Sequence, residues 1–418
     1  MEHIPFPLSA PLLLQLTLLF SVIFCPARVI CIGVNYGQIA NNLPAPENAV
    51  QLVKCIGATK VKLYDADPKV LTAFAHTSVE LIVSIGNEHL PEMSDCDKAR
   101  AWVLQNVSPY LPATKITSII VGNEALTTGN ASLLFPAMKN VYDALLKLNL
   151  QNQIQVTTAH SLAVLDASYP PSAGTFKSNL THYICEILEF SNITGAPVLI
   201  NAYPYFAYQA DPANVRLEYA LFQPNPGTND AGNRNVHYDN LLFAQIDAVY
   251  AAAAKMGYPN VCVQVSETGW PSKGGPTEAA ATKQNAMTYN RNLLNLAANR
   301  GRTPLSPGRC NLEVSVFALF NENQKPGPLS EQNYGLFNAD GSPAYQIGSS
   351  ACGNTNRSIG SGPVSGIYPP TTLSPMAGSP GNVYIPISSD AVRSHLCMKR
   401  FGFVLIVAFL CHIALNKM

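Results

Sequence analysis

Short apolar runs alternate with longer amphipathic stretches along most of the chain. Eight runs rich in Val, Ile and Leu read as strands: Ile32–Tyr36, Lys60–Tyr64, Glu80–Ser84, Ile116–Val121, Gln153–Thr158, Pro197–Tyr203, Val261–Ser266 and Glu313–Phe317. Several are nearly continuously apolar, the pattern of parallel strands covered on both faces. Between them, helical spacing and helix-forming residues stand out at Glu47–Ile56, Ala99–Leu104, Ser132–Leu148, Asn240–Lys255 and Glu278–Asn299. This alternation predicts an α/β fold, a single (β/α)8 TIM barrel with an irregular C-terminal tail. A doubly wound open sheet is the alternative. The eight repeats count against it, as does the lack of Gly-x-Gly-x-x-Gly or a Walker-type Gly-Lys-Ser/Thr. No Gly-x-Ser-x-Gly is present either, which disfavours an α/β-hydrolase.

Two of the predicted strands end in a carboxylate. Val261–Ser266 runs into Glu267-Thr-Gly-Trp270-Pro, where Gly269 and Pro271 stop the strand. Ile116–Val121 runs into Gly122-Asn123-Glu124. Taken singly, each Glu could simply cap a loop. Together, at the carboxyl ends of barrel strands, they are the minimal equipment for glycoside hydrolysis: one acid to protonate the leaving oxygen, one carboxylate to attack the anomeric carbon or activate water.

Val121-Gly-Asn-Glu124 and Ser266-Glu-Thr-Gly-Trp-Pro271 resemble the acid/base and nucleophile motifs of plant β-1,3-glucanases of glycoside hydrolase family 17. The similarity runs from about Ile32 to Cys352. It implies a retaining endo-hydrolase of β-1,3-glucans such as callose, with Glu124 as acid/base and Glu267 as nucleophile. The two carboxyls would then lie roughly 5–5.5 Å apart. By the same resemblance Asn123 bonds the sugar 2-hydroxyl, Tyr203 holds Glu267 ionised, and Glu322, Lys325 and Glu331 are supporting polar residues. Tyr203 could equally be a rim aromatic, and Lys325 part of an ordinary surface ion pair. Tyr36, Tyr64, Phe206 and Trp270 fall at or after strand ends and are candidate platforms for pyranose rings, Trp270 above all; each could also be core. The near-copy Gly86-Asn87-Glu88 follows the third strand, whereas the family's acid/base follows the fourth, so Glu88 is expected to be a decoy. Two-carboxylate chemistry needs no metal and no cofactor. A glucan-remodelling transglycosylase on the same residues is the alternative enzyme. A wall-tethered glucan-binding protein with little turnover is the alternative of another class, disfavoured by two intact carboxylates.

The remaining composition narrows the setting. Lys+Arg and Asp+Glu are both 26, so no charge excess points to nucleic acid or an acidic substrate. Residues 1–27 read as a signal peptide, with an apolar run from Leu8 to Phe24. Sequons at Asn106, Asn130, Asn179, Asn192 and Asn356 then suit a secreted glycoprotein. The long, irregular spacings of Cys55, Cys96, Cys185, Cys262, Cys310 and Cys352 make a zinc site improbable and leave buried thiols or disulfides open. Residues 28–352 form the catalytic domain and 353–390 a Ser/Gly/Pro-rich linker. Residues 391–418 end in fifteen nearly unbroken apolar positions, Phe401–Leu415. At ~1.5 Å per residue such a stretch covers about 22 Å of a bilayer core near 30 Å thick. A cleaved glycolipid-anchor signal resolves that mismatch better than a short spanning helix. The expectation is a monomer tethered to the outer face of the plasma membrane, next to wall glucan.

Overall fold

The computed structural model describes residues 32–129, 131–298 and 301–346. The expected signal peptide, linker and anchor signal lie outside these residues, as do Asn130, Asn356 and Cys352. Among the described residues no helix is long and apolar enough to cross a membrane.

Eight parallel strands close into a barrel, as the alternation predicts: β1 (Ile32–Tyr36), β2 (Lys60–Leu63), β3 (Glu80–Ile85), β4 (Lys115–Asn123), β5 (Gln155–Ser161), β6 (Val198–Asn201), β7 (Val263–Thr268) and β8 (Val314–Val316). Each pairs with its neighbour in sequence, and β8 closes on β1 through Ile32↔Val314 and Val34↔Val316. The outer layer includes α1 (Pro46–Cys55), α2 (Pro68–Ala73), α3 (Cys96–Asn106), α4 (Ala131–Lys147), α5 (Thr181–Thr194), α6 (Pro204–Ala210), α7 (Leu241–Lys255) and α8 (Lys283–Ala298). Local chemistry sets several helix starts. Asp67 accepts from the Lys69 N–H, Asp95 from those of Asp97 and Lys98, and Asn240 from that of Phe243.

Among the described residues most of the apolar core lies between barrel wall and helices, and a small cluster (Ile120, Ala159 and Leu199, backed by Ile82) packs separately from it. Lys60, Lys62, Ser266 and Ser315 line one cavity with Ile82, Ile120 and Leu199. Gly33 makes room there, because a Cβ would stand 2.2 Å from the Ser315 hydroxyl oxygen. Near the start of the strands Lys60 pairs with Glu313 at 2.6 Å and Glu80 at 3.5 Å, and Lys115 with Glu80 at 2.8 Å.

The long segment after β6 is partly ordered as a short helix, Leu217–Ala220, and a ribbon pairing Thr228–Asn229 with His237–Tyr238. The Asp230 carboxylate pins this ribbon to the loop after β5 by accepting from the Ser172 N–H at 2.8 Å and hydroxyl at 2.5 Å. Cys262 and Cys310 form a disulfide joining the entries to β7 and β8. Cys55 and Cys185 each also take part in a disulfide, and Cys96, the free thiol among the described residues, is exposed rather than buried. Of the described sequons, Asn179 and Asn192 are exposed. Asn106 is partly buried, its amide donating to the Trp102 carbonyl at 3.0 Å.

Candidate active site

Register breaks re-aim the strand ends where the two glutamates sit. The β4–β5 pairing shifts between Ile120 and Asn123, and β7 shifts against both neighbours from Val265 onward. At the end of β4, Gly122 and then Glu124 take left-handed backbone, with φ of 70° and 56°. The Glu124 N–H donates to the Ala159 carbonyl at 2.8 Å, fixing the turn to β5. Asn87, from the loop after β3, clasps the same turn: it accepts from the Asn123 N–H at 2.9 Å and donates to the Asn123 carbonyl at 2.8 Å. Asn201, ending β6, donates to Glu124 Oε1 at 2.8 Å and to the Asn123 side-chain oxygen at 3.3 Å.

Glu267 lies inside β7 rather than beyond it, and is only 6% exposed. Its Oε1 accepts from Lys62 Nζ at 2.7 Å and the Tyr64 hydroxyl at 2.8 Å; its Oε2 accepts from the Tyr203 hydroxyl at 3.0 Å. These surroundings push the two carboxyls apart. Burial alone would raise the pKa of Glu267, but the charge of Lys62, the hydrogen bonds from Lys62 and Tyr64, and the more distant Lys325 together bring it below the usual glutamate value. Burial raises Glu124, and the negative charge of Glu267 raises it further, against the weaker pull of Asn201 and Lys62. The two carboxyls are thus shifted in opposite directions, the division that acid–base chemistry between two glutamates requires.

The other expected residues divide into those around this pair and those in the core. Glu322 is buried, its Oε1 accepting from the Ile39 N–H at 2.8 Å, and burial raises its pKa. Lys325 pairs with Glu331 at 3.0 Å and lies 4.1 Å from the centre of the Phe317 ring. Tyr64, expected as a sugar platform, instead spends its hydroxyl on Glu267. Two other platform expectations need correction. Trp270 is 0% exposed, ringed by Tyr205, Tyr208 and Tyr289, and its indole N–H donates to the Ala280 carbonyl at 2.8 Å. Tyr36 is also buried, edge-on to Phe320. Both rings gain more from burial against neighbouring aromatics than from exposure to water. Phe206 is 42% exposed, its ring 5.2 Å from that of Tyr203 and 5.3 Å from that of Tyr205.

Glu88 sits in the Asn87–His89 turn with its side chain 64% exposed and its carboxylate toward His89. It is the neighbouring Asn87 that enters the site. Asn87, Asn201 and Lys62 were missed from sequence. Lys62 left a signal, since in Lys60-Val-Lys-Leu-Tyr64 the apolar Val61 and Leu63 alternate with Lys60, Lys62 and Tyr64. A lysine on the inward face of a barrel strand needs a carboxylate. Among the described residues no cluster of His, Cys, Asp and Glu is arranged to hold a metal ion.

Comparison with known proteins shows the family to which this barrel belongs. Residues 32–349 match glycosyl hydrolases family 17. Glucan endo-1,3-beta-glucosidase 10 of Arabidopsis thaliana is 56% identical over 329 residues, 77% of each chain. Glucan endo-1,3-beta-glucosidase 11 of the same plant is 53% identical over 333 residues, 78% of each. Among solved structures, CJP38, a β-1,3-glucanase and allergen of Cryptomeria japonica pollen, superposes with a TM-score of 0.72 at 42% identity, covering 76% of this chain and 98% of its own. With a closed parallel barrel, two glutamates at its strand ends and this similarity over most of its length, the chain belongs to glycosyl hydrolase family 17, among the plant glucan endo-1,3-β-glucosidases.

Proposed function

We propose that the protein hydrolyses internal β-1,3 linkages of glucans such as callose by double displacement, with Glu124 as acid/base and Glu267 as nucleophile. The observation that carries this reading is the unequal treatment of the two carboxyls: Glu267 is held by a lysine and two tyrosine hydroxyls, while Glu124 has one neutral amide donor. In the first step Glu124 gives its proton to the glycosidic oxygen as the bond to C1 breaks, and Glu267 attacks C1 from the opposite face. In the second, Glu124 takes a proton from water, whose oxygen displaces Glu267 and restores the β configuration. Asn123 lies beside Glu124, where its amide can bond the sugar 2-hydroxyl. Glu322, Lys325 and Glu331 support the cleft from the loop after β8.

Proton NMR of laminarin digestion tests the stereochemistry. The first-formed reducing end is expected to be β, relaxing to the α/β mixture only by mutarotation. An α product would mean inversion and a separation of roughly 6.5–9.5 Å between the carboxyls in the working enzyme.

The polar linker and the apolar tail support tethering of the enzyme as a monomer at the outer face of the plasma membrane by a glycolipid. Phosphatidylinositol-specific phospholipase C is expected to release active enzyme from membranes. Retention on the membrane together with mature peptides from Phe401 onward would instead establish a short spanning helix.

A further inference from the structure

The nucleophilic carboxylate of this reading is held asymmetrically. Oε1 of Glu267 receives two donors, Lys62 Nζ at 2.7 Å and the Tyr64 hydroxyl at 2.8 Å; Oε2 receives one, the Tyr203 hydroxyl at 3.0 Å. Asn35 fixes the direction of the Tyr64 proton. Its amide donates to the Tyr64 oxygen at 3.0 Å and to the Ser266 carbonyl at 3.1 Å, leaving the phenol proton for Glu267. Lys62 is 1% exposed and approaches along the inward face of β2. Its ammonium also donates to the Ser266 hydroxyl at 2.7 Å and lies 4.9 Å from the centre of the Tyr64 ring. Lys325, the lysine singled out from sequence, is held elsewhere by Glu331 and the Phe317 ring.

We propose that Lys62 is the positioning residue of the displacement: together with Tyr64 it saturates Oε1 of Glu267 and leaves Oε2 as the oxygen that attacks C1. This rests on Glu267 being the nucleophile. As the C1–O bond breaks, a lone pair of Oε2 forms the bond to C1, the departing oxygen takes the proton of Glu124, and Oε1 becomes the carbonyl oxygen of the ester. In the second step water loses a proton to Glu124 and bonds to C1. The electrons of the C1–Oε2 bond return to the carboxylate, and Lys62 meets the restored charge at Oε1. In the first step a point charge buried against Oε1 keeps the carboxylate ionised and turned toward C1; in the second it stabilises the anion as it returns.

The test is the rate of labelling by 2-deoxy-2-fluoro-β-laminaribiosyl fluoride, followed across pH in the full enzyme and in Lys62→Met, Lys62→Gln and Lys62→Arg. This reagent loses fluoride and needs no proton from Glu124, so it reports on the nucleophile alone. Thermal melts normalise each rate to folded protein. The label is expected on Glu267 in the wild type. Labelling should slow by on the order of 10²-fold in Lys62→Gln and Lys62→Met, with the acid limb of the rate moved to higher pH, and Lys62→Arg should recover much of both. Label on another residue of the wild type removes the nucleophile reading and the proposal with it. Label on Glu267 with an unmoved acid limb in Lys62→Gln, whether or not the rate falls, leaves Lys62 a structural residue and overturns the proposal alone.

Discussion

Glu267→Ala is expected to lower reducing-sugar release from laminarin by on the order of 10⁴–10⁶-fold, the scale seen when a covalent nucleophile or its partners are removed. The loss should be chemical rather than architectural, because β7 stays paired on both sides through Val263 and Val265. Some stability will go as well. Lys62 is left buried without its counter-ion, a change that costs about 3–5 kcal/mol when one partner of a buried pair is removed. Activity must therefore be compared on folded protein. Folding and the surviving acid/base are checked together with α-laminaribiosyl fluoride, which has the anomeric configuration of the glycosyl-enzyme. The variant should couple it to an acceptor glucan, with Glu124 taking the acceptor proton. Laminarin turnover within tenfold of wild type would place the nucleophile elsewhere.

Glu124→Gln is expected to lower turnover of laminarin by on the order of 10²–10⁴-fold, the usual contribution of general acid–base catalysis. The size of the effect should depend on the leaving group. A dinitrophenyl β-laminaribioside leaves without a proton, so its first step should be nearly normal. The second step then stalls until azide, which needs no base, intercepts the ester as a β-glycosyl azide. The pH profile gives a second readout. Glu267 must be ionised, and its lowered pKa sets the acid limb; Glu124 must be protonated, and its raised pKa sets the basic limb. Activity therefore falls at both ends in the wild type, and the basic limb should vanish in Glu124→Gln. Glu88→Gln is the control and should keep substantial activity. An inactive Glu88→Gln beside an active Glu124→Gln would exchange their roles.

The barrel was legible in sequence because each buried parallel strand needs an apolar run, and eight such runs punctuated by turn residues leave few architectures. Strand limits were less so. The sequence suggests a β7 that stops at Ser266, before the Gly and Pro, whereas the strand bends through a register break and carries Glu267 and Thr268 within it. α5 was not picked out because Thr181–Thr194 is rich in β-branched and aromatic residues, and burial of Ile184, Ile187, Leu188 and Phe190 overrides that weak propensity. In the site, the residues within short motifs (Asn123, Glu124, Glu267, Tyr203) could be named in advance. Their partners Lys62, Asn87 and Asn201 lie on or just after β2, β3 and β6, far in sequence from the carboxylates they hold, and the barrel brings them together. Trp270 shows the opposite error: its place in a motif suggested ligand contact, while its full burial and its hydrogen bond to Ala280 make it a packing residue.

The left-handed backbone at Glu124 sets the fold and the chemistry at odds over one position. A residue with a Cβ is held there at a cost of about 1–2 kcal/mol, which Gly would not incur and which Asn tolerates better than most. The glutamate side chain is held by one donor, the Asn201 amide on its Oε1, while the turn itself is tied down by backbone and by Asn87. With Glu124 as the proposed acid/base, replacement by Gly or Asn would relieve the backbone and remove the catalytic proton together. A copy of this chain with either residue here would thus trade the proposed activity for a less strained turn.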